Sequence, residues 1–265
     1  MSARVLLTGS ASGIGAATAS ELRARGARVV GLDLNAPDAD TIVCDVRDQE
    51  SVDRAVAEGV ERLGGLDVLI NNAGIGIPQG AGVAPDDEAL AVIDVNMLGP
   101  WRVTSAALPA LRESRGRVVN VASGLAHLAI PFATAYCMSK RGLVAYSDAL
   151  RLEQGGTIGV TTVYPGYIRT PIHDAAGAHG VSLEGAVPAE RVEDAARTLV
   201  RAALGPPARD LATTRRGTVS YALARRSPRR LLDAIVATRM RRLTRGGRFD
   251  QSPLASEFVA RLRAR

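Results

Sequence analysis

Apolar and polar positions alternate with two different periods along the first part of the chain. Short continuous apolar runs at residues 4–8 and 28–33 flank a segment, 13–25, whose apolar residues recur every three or four positions. The runs are typical of strands in a parallel sheet, and the longer repeat is typical of an amphipathic helix. Strand and helix in this order predict a βαβ unit.

The same alternation continues to about residue 213. Further strands are predicted at 41–44, 66–71, 117–122 and 160–164, with an edge strand at 210–213. Helices are predicted at 48–63 with Asp48 as N-cap, at 87–114 with a bend at Gly99-Pro100, and at 135–153 and 188–204. Residues 166–187 have no clear period and predict a mobile loop with a short helix. The predicted fold class is α/β, a single doubly wound Rossmann-type domain over residues 1–213 with a mainly parallel sheet.

Residues 214–265 differ from this domain in charge. Residues 201–265 hold 16 arginines and 4 acidic residues, a net charge of +12, whereas residues 1–200 carry 17 basic and 23 acidic residues, a net of −6. Ser227-Pro228 and Ser252-Pro253 each have the form of an N-cap followed by proline at the first helical position, and apolar residues follow both at helical spacing. These features predict a basic, amphipathic, helical C-terminal extension.

The apolar stripes of that extension leave several roles open. They could pack on the domain, cover the mouth of an active site, pair the subunits of a homodimer or homotetramer, or lie on an anionic membrane. Packing or subunit contact is the favoured interpretation, and peripheral membrane contact is an alternative. Nucleic-acid binding is disfavoured because aromatic residues do not interleave with the arginines.

Composition narrows the class of protein. A chain that is 46% hydrophobic and 23% charged is not disordered as a whole, and no apolar run approaches the ~20 residues of a membrane span. The first residues enter a predicted strand at once, which leaves no room for a signal peptide. Cys44 and Cys137 have no CxxC spacing, and the three histidines are not clustered, so neither a disulfide framework nor a metal site is expected. We therefore expect a cytoplasmic protein.

A glycine-rich segment joins the first predicted strand to the first predicted helix. Its pattern is G-x-x-x-G-x-G, formed by Gly9, Gly13 and Gly15. Glycines in such a turn let the backbone approach a pyrophosphate, and the helix N-terminus directs its N–H groups at that anion. This position after the first strand predicts a dinucleotide site that also includes Ser12 and Ile14.

Asp33 ends the second predicted strand and bears on the choice of dinucleotide. A carboxylate there can accept hydrogen bonds from the adenosine ribose hydroxyls and would repel a 2′-phosphate. Leu34 and Asn35 offer no cation to hold that phosphate. NAD is therefore favoured over NADP.

Tyr136 and Lys140 form an i, i+4 pair on the predicted helix 135–153, so they share one face. Oxidising an alcohol requires a base for the hydroxyl proton, and a phenol with a pKa near 10 needs a nearby positive charge to serve at neutral pH. Lys140 is the only lysine in a chain with 32 arginines, which makes a chance pairing with Tyr136 less probable. Ser123, at the end of a predicted strand, can donate a hydrogen bond to a substrate oxygen as charge develops.

Together these segments resemble the short-chain dehydrogenase/reductase family, over about residues 4–213. The matching motifs, in the family's order, are residues 8–15, Cys44-Asp45-Val46, Asn71-Asn72-Ala73-Gly74, Asn96, Ser123, Tyr136-Cys137-Met138-Ser139-Lys140 and Pro165-Gly166-Tyr167-Ile168-Arg169-Thr170. One departure is the absence of the glycine-rich stretch before the family's usual last strand, which leaves the corresponding subunit contact in doubt.

The resemblance implies a role for each matching residue. Tyr136 would be the general acid/base, Lys140 would tune it and hold the nicotinamide ribose, and Ser123 would orient the substrate oxygen. Asn96 would position a water that links Lys140 to solvent. The cofactor would further be contacted by Asp45 and Val46 at the adenine, by Asn72, Ala73 and Gly74 beside it, and by Pro165, Gly166, Ile168 and Thr170 at the carboxamide.

The predicted function is NAD-dependent interconversion of an alcohol, secondary and moderately hydrophobic, with its ketone. The loop 166–187 would close over this substrate, and Ile168, Ile172 and Val181 give the loop apolar character. Two alternatives remain: an NADP(H)-dependent carbonyl reductase of the same fold, and a protein that senses NAD without turnover.

Overall fold

The computed structural model describes residues 2–182, 184 and 188–263. Its strands are β1 (Arg4–Thr8), β2 (Arg28–Asp33), β3 (Thr41–Val43), β4 (Val68–Asn71), β5 (Arg117–Val121), β6 (Gly159–Tyr164), β7 (Tyr167–Ile168), β8 (Ala189–Glu190) and β9 (Asp210–Ala212). Seven of them form one sheet in the order β3-β2-β1-β4-β5-β6-β9, with every neighbouring pair parallel. The strand order reverses between β1 and β4, and in such sheets ligands bind in the crevice at the carboxyl ends of these strands.

Helices cover both faces of the sheet, as the alternating pattern predicts. They are α1 (Gly13–Ala24), α2 (Gln49–Leu63), α3 (Asp87–Ile93), α4 (Gly99–Ser114), α5 (Thr134–Gln154), α6 (Asp174–Ala178), α7 (Val192–Leu204), α8 (Arg215–Arg226), α9 (Arg229–Arg245) and α10 (Ser256–Arg263). Asp48 caps α2, because its side chain accepts a hydrogen bond from the backbone N–H of Glu50. No helix within the described ranges is long and apolar enough to cross a membrane.

Successive residues of each strand point to opposite faces, and this divides the core in two. Leu6 of β1 and Leu69 of β4 pack with α2, α4 and α5. Val5 and Leu7, which flank Leu6, pack on the other side with α1 and α7. Consecutive residues of β1 are therefore apolar, because the strand packs against helices on both faces of the sheet.

The predicted helix 87–114 is confirmed, since its residues are helical without a break. Its irregularity is a π-helical turn, Asp94–Leu98, which joins α3 to α4 just before the Gly99-Pro100 step where a bend is predicted. Pro100 lies in the first turn of α4, directly after the π-helical turn. The turn directs the fully buried Asn96 towards the backbone of Ile75, with which its side chain forms two hydrogen bonds.

The region after β6 is more structured than predicted. The predicted loop 166–187 contains β7, a 3-10 turn (Pro171–His173) and α6, while Leu183 and residues 185–187 lie outside the described residues. The helix predicted at 188–204 begins only at Val192, because Ala189 and Glu190 pair with β7 as a two-stranded ribbon.

Three α-helices follow β9, where the sequence predicts two. The unpredicted one is α8, which Thr214 caps by accepting a hydrogen bond from the N–H of Gly217. The next helix, α9, begins at Arg229 rather than at Pro228, and a 3-10 turn, Pro253–Ala255, leads into α10. Residues 264–265 of the predicted extension, like Met1, lie outside the described residues.

Candidate active site

The glycine-rich segment forms the turn from β1 into α1. Gly9 and Gly13 have φ angles of 68° and 53°, in the left-handed region that favours glycine. At Gly15 the reason is contact, since a Cβ atom would lie 1.8 Å from the carbonyl oxygen of Gly9. Ser12 is the N-cap but makes no side-chain capping bond, so the first N–H groups of α1 are free to face an anion.

Asn72 and Thr8 hold this turn in place. The side-chain Nδ2 of Asn72 donates to the carbonyl oxygens of Thr8 and Gly9, at 3.1 and 3.0 Å. In return, Thr8 Oγ1 accepts from the backbone N–H groups of Asn72 and Ala73, both at 3.0 Å. The segment after β4 therefore fixes the glycine turn as well as lining the crevice beside it.

Asp33 lies at the end of β2, next to the glycine turn. Its carboxylate accepts hydrogen bonds from the backbone N–H of Ala11, at 2.9 Å, and of Asn35, at 3.1 Å. The neighbouring Leu34 is exposed. The Asp33 carboxylate thus lies where the sequence predicts the adenosine ribose. The loop that follows it carries no cationic side chain.

Asp45 and Val46 follow β3 on the same side of the crevice. Arg47 binds both oxygens of Asp45, and this pairing lowers the pKa of the carboxyl group. The Asp45 carboxylate is thus held by its neighbour, and the adjacent Val46 offers a buried apolar surface. Both residues line the crevice, and their place at the adenine end stays a prediction.

Ser123, Tyr136 and Lys140 come together at the carboxyl end of the sheet. Ser123 follows β5, and Tyr136 and Lys140 lie on successive turns of α5. The Lys140 Nζ donates to the carbonyl oxygen of Val121 at 3.0 Å and lies 5.8 Å from the centre of the Tyr136 ring. The Ser123 hydroxyl faces the Tyr136 hydroxyl and favours its ionised form, which lowers the pKa of the phenol.

Burial governs the protonation of this group. Lys140 is 3% exposed, and burial lowers its pKa to about 8. Burial raises the pKa of Tyr136, and the nearby Ser123 hydroxyl opposes that rise. The sequence-based expectation was that Lys140 lowers the pKa of Tyr136. In the protein alone, desolvation of the phenol outweighs any such effect, so Tyr136 is a proton donor at neutral pH.

Asn96 lies behind these residues rather than in the crevice. Its Oδ1 accepts from the N–H of Ile75 at 2.9 Å, and its Nδ2 donates to the Ile75 carbonyl and to Ser139 Oγ. A Cβ atom on Gly74 would lie 3.1 Å from Asn96 Oδ1 and 3.4 Å from Lys140 Nζ, so the two groups approach each other across that glycine. The predicted water between Asn96 and Lys140 stays a prediction.

One cavity of about 960 Å³ connects the glycine turn to Tyr136. Of the predicted site residues, Gly15 and Asn96 do not line it; those that do are Gly9, Ser12, Gly13, Ile14, Asp33, Asp45, Val46, Asn72, Ala73, Gly74, Ser123, Tyr136, Lys140, Pro165, Gly166, Ile168 and Thr170. The topology of the sheet thus brings residues from seven separate loops and helices to one crevice. Among the described residues no cluster of His, Cys, Asp and Glu could hold a metal ion.

Comparison with known proteins agrees with this geometry. The family model described as short chain dehydrogenase matches residues 3–179. The chain belongs to the short-chain dehydrogenase family. The match includes the glycine turn, Asp33, Ser123, Tyr136, Lys140 and the segment 165–170, and it ends before α7.

Relatives within the short-chain dehydrogenase family include 11-beta-hydroxysteroid dehydrogenase 1A of Arabidopsis thaliana, 34% identical over 184 residues, which are 63% of this chain and 53% of that protein. Human retinol dehydrogenase 16 is 38% identical over 188 residues, 63% of this chain and 57% of that protein. The chain thus spans little more than half the length of these relatives. A short chain dehydrogenase from Burkholderia cenocepacia, solved in complex with NADP, is 26% identical with a TM-score of 0.74, over 89% of this chain and 98% of that one.

Helices beyond the matched family segment complete the outer wall of the cavity. Tyr221 of α8 lies against Gly124, where a Cβ atom would be 2.4 Å from the tyrosine hydroxyl. Met240 of α9 and the following Phe249 line the same wall and belong to one buried cluster. Sequence reasoning found the apolar stripe of α9 but missed Tyr221, because its approach to Gly124 depends on the unpredicted α8.

Phe132 links this wall to α5, the helix that carries Tyr136 and Lys140. It lies four residues before Tyr136, has a φ angle of 64°, and packs edge-on against Phe249 and Phe258 at 6.0 and 5.3 Å. A left-handed φ at a bulky residue is held by its surroundings. The aromatic contacts with the C-terminal helices are those surroundings.

Proposed function

We propose that this chain is an NAD-dependent oxidoreductase that interconverts an apolar secondary alcohol and its ketone, with Tyr136 as the general acid/base. The observation that supports it best is the meeting of Ser123, Tyr136 and the buried Nζ of Lys140 in the cavity on which the glycine turn opens. A phenol and an ammonium group that are buried together in a cavity are typical of a site for acid/base catalysis.

The residues present fit a nicotinamide dinucleotide. The open glycine turn with the free N–H groups of α1 would hold the pyrophosphate, and Asp33 would hold the adenosine ribose. Lys140 would hold the nicotinamide ribose. When bound, the nicotinamide supplies the hydride acceptor in oxidation and the hydride donor in reduction.

The chain's own residues would manage the proton. Ser123 donates a hydrogen bond to the substrate oxygen and fixes its distance from the phenol of Tyr136. In ketone reduction, Tyr136 donates its proton to that oxygen as negative charge develops. In alcohol oxidation, the phenolate form of Tyr136, which the adjacent Lys140 ammonium stabilises, takes the hydroxyl proton and becomes the neutral phenol.

The preference for NAD rests on Asp33. Its carboxylate lies beside the glycine turn, with the exposed Leu34 and Asn35 following it, so a 2′-phosphate would meet a negative charge and no cation on that loop. The Burkholderia relative was solved with NADP, which makes an NADP(H)-dependent reductase the competing assignment. Steady-state rates with each cofactor distinguish the two.

The walls of the cavity favour an apolar substrate. Beyond the cofactor residues, its lining is largely aliphatic and aromatic: Ile75, Ile77, Leu125, Leu128, Ile130, Phe132, Ile172, Val181, Met240 and Phe249. Burying such a surface against a polar sugar would forfeit the apolar contribution to binding. The relatives named for hydroxysteroids and retinol point the same way.

The decisive experiment compares Tyr136→Phe with the wild type on a panel of apolar secondary alcohols and ketones, by absorbance of the reduced cofactor. Removing one hydroxyl should lower kcat by about 10²- to 10⁴-fold while the Kd of NAD changes little. Tyr146→Phe is the matched control, because Tyr146 stacks on Trp101 outside the cavity. Turnover that survives in Tyr136→Phe would refute the proposed mechanism, and NAD binding without turnover of any panel member would favour a non-catalytic sensor.

A further inference from the structure

Large aliphatic side chains are exposed on α8 and α9, the first two of the three helices that follow β9. Val219 and Leu223 of α8 are 61% and 62% exposed, and Leu231 and Ile235 of α9 are 52% and 56% exposed. Each pair is separated by four residues, so each forms a short apolar stripe along one side of its helix. Scattered single apolar residues need no explanation, but two aligned pairs on consecutive helices do.

Arginines flank both stripes on the same helix faces. On α8, Arg216, Val219, Leu223 and Arg226 follow one another at intervals of three, four and three residues. On α9, Leu231, Ile235, Arg239 and Arg242 follow at intervals of four, four and three. We call these eight residues the basic rim.

The charge of this segment is almost all of one sign. Residues 215–245 contain ten arginines and one acidic residue, Asp233. Within the described part of the segment the ion pair formed is that of Arg225 with Asp210 of β9. The four arginines of the basic rim are exposed and carry no carboxylate partner among the described residues.

The basic rim borders the mouth of the cavity. Arg216 of α8 and Ile235 and Arg239 of α9 line the cavity and are exposed to solvent. On the inner side of α9, the buried Met240 continues the same wall. A surface that touches the rim would therefore lie directly over the entrance for an apolar substrate.

We propose that the basic rim docks on an anionic lipid surface. Aliphatic residues between arginines match a bilayer interface, where the apolar groups enter the acyl boundary and the guanidinium groups bind lipid phosphates. A second copy of the chain would bring a surface of the same charge against this one. A nucleic acid would match the arginines but would leave four aliphatic side chains without an apolar partner.

The test uses the full chain and sedimentation with vesicles, and it does not depend on finding the substrate. The protein should bind vesicles of phosphatidylcholine containing about 30 mol% phosphatidylglycerol at least ~10-fold more tightly than pure phosphatidylcholine vesicles. High salt should reduce binding to the anionic vesicles, because screening weakens the arginine contribution.

Two double variants separate the apolar from the charged contribution, and none of their positions lines the cavity. Leu223→Gln with Leu231→Gln removes apolar contact without changing charge and should weaken binding about 10-fold or more. Arg226→Gln with Arg242→Gln should weaken binding to anionic vesicles by a similar factor. The matched controls are Val43→Gln with Val83→Gln and Arg54→Gln with Arg201→Gln, at exposed positions outside α8 and α9, and both should bind like the wild type.

Three results would overturn the proposal. The first is failure of the wild type to bind anionic vesicles. The second is vesicle binding that is the same in the wild type and in the leucine double variant. If duplex DNA also bound these two proteins with equal affinity, the arginines alone would account for binding. The third is a change of oligomeric mass, measured by light scattering, in the leucine double variant without a change in vesicle binding, which would assign the face to a second copy of the chain.

Discussion

The sheet and the helices that follow it are stabilised in different ways. Two extensive apolar clusters, one on each face, hold five helices against the parallel sheet. The last two helices, α9 and α10, instead depend on a cluster with five buried members, Val181, Met240, Phe249, Ala255 and Val259. Because a smaller cluster buries less apolar area, these helices should open without unfolding of the sheet.

The same division runs through the site. The sheet, its loops and α5 carry the glycine turn, Asp33, Ser123, Tyr136 and Lys140, whereas α8, α9 and the following residues carry the part of the cavity wall that we propose faces the substrate. Cofactor binding and substrate binding are therefore assigned to different parts of the molecule. Variants that weaken one part should leave the other nearly intact.

The largest effect is expected from Phe249→Ala. Phe249 is buried and contacts Phe132, so truncation should cost about 3–5 kcal/mol of local stability. Limited trypsinolysis, which cuts after the many arginines of residues 215–263, should become faster by two orders of magnitude or more, while the main thermal transition and the Kd of NAD change little.

Leu231→Ala is the control for this variant, because Leu231 lies on the same extension but is exposed. Surface truncation of this kind should change stability by about 0.5 kcal/mol or less. If Phe249→Ala lowered the main transition as much as Leu69→Ala in the centre of the sheet, the two regions would be one cooperative unit and the comparison would fail.

Asp33→Ala should have a smaller effect, and one confined to the proposed cofactor site rather than to the C-terminal helices. Losing the carboxylate should reduce the preference for NAD over NADP by about 10- to 100-fold, the equivalent of one charged hydrogen bond or two. The KM of the alcohol should stay unchanged, because Asp33 lies far from the cavity wall that the C-terminal helices provide. Asp38→Ala, an exposed acidic residue on the following loop, is the control. An unchanged cofactor preference in Asp33→Ala would remove the role given to that carboxylate.

Local sequence patterns were sufficient to predict the sheet and the juxtaposition of Tyr136 and Lys140. Buried strands such as β1 and β5 are continuous apolar runs, and Tyr136 and Lys140 share a face through helical spacing alone. The glycine turn was predictable for the same reason, since Gly9, Gly13 and Gly15 act within a few residues of one another.

Features that depend on distant contacts were not predictable. In the π-helical turn, the Asn96 side chain forms hydrogen bonds with the backbone of Ile75. Nothing in residues 94–98 alone indicates that partner. The position of Tyr221 depends on the absence of a side chain at Gly124, far away in sequence. The raised pKa of Tyr136 likewise follows from tertiary burial, which helical spacing does not reveal.

The smallest effect concerns the pH dependence of stability and tests whether Lys140 belongs to the sheet region. Burial lowers its pKa from 10.5 to about 8, so between these values the unfolded chain binds a proton that the folded protein does not. The free energy of unfolding should therefore rise from pH 7 to pH 9 by about 1 kcal/mol more in the wild type than in Lys140→Met. Contributions from Cys44 and Cys137, whose pKa values burial raises, are common to both proteins and cancel in the difference. Burial raises the pKa of Tyr136 further above this pH range, so the phenol contributes little to either slope. The same excess should persist in Phe249→Ala, because Lys140 is buried between α5 and β5 rather than by the C-terminal helices. Equal slopes in wild type and Lys140→Met would show that the ammonium is solvated, and loss of the excess in Phe249→Ala would show that the extension seals the catalytic centre.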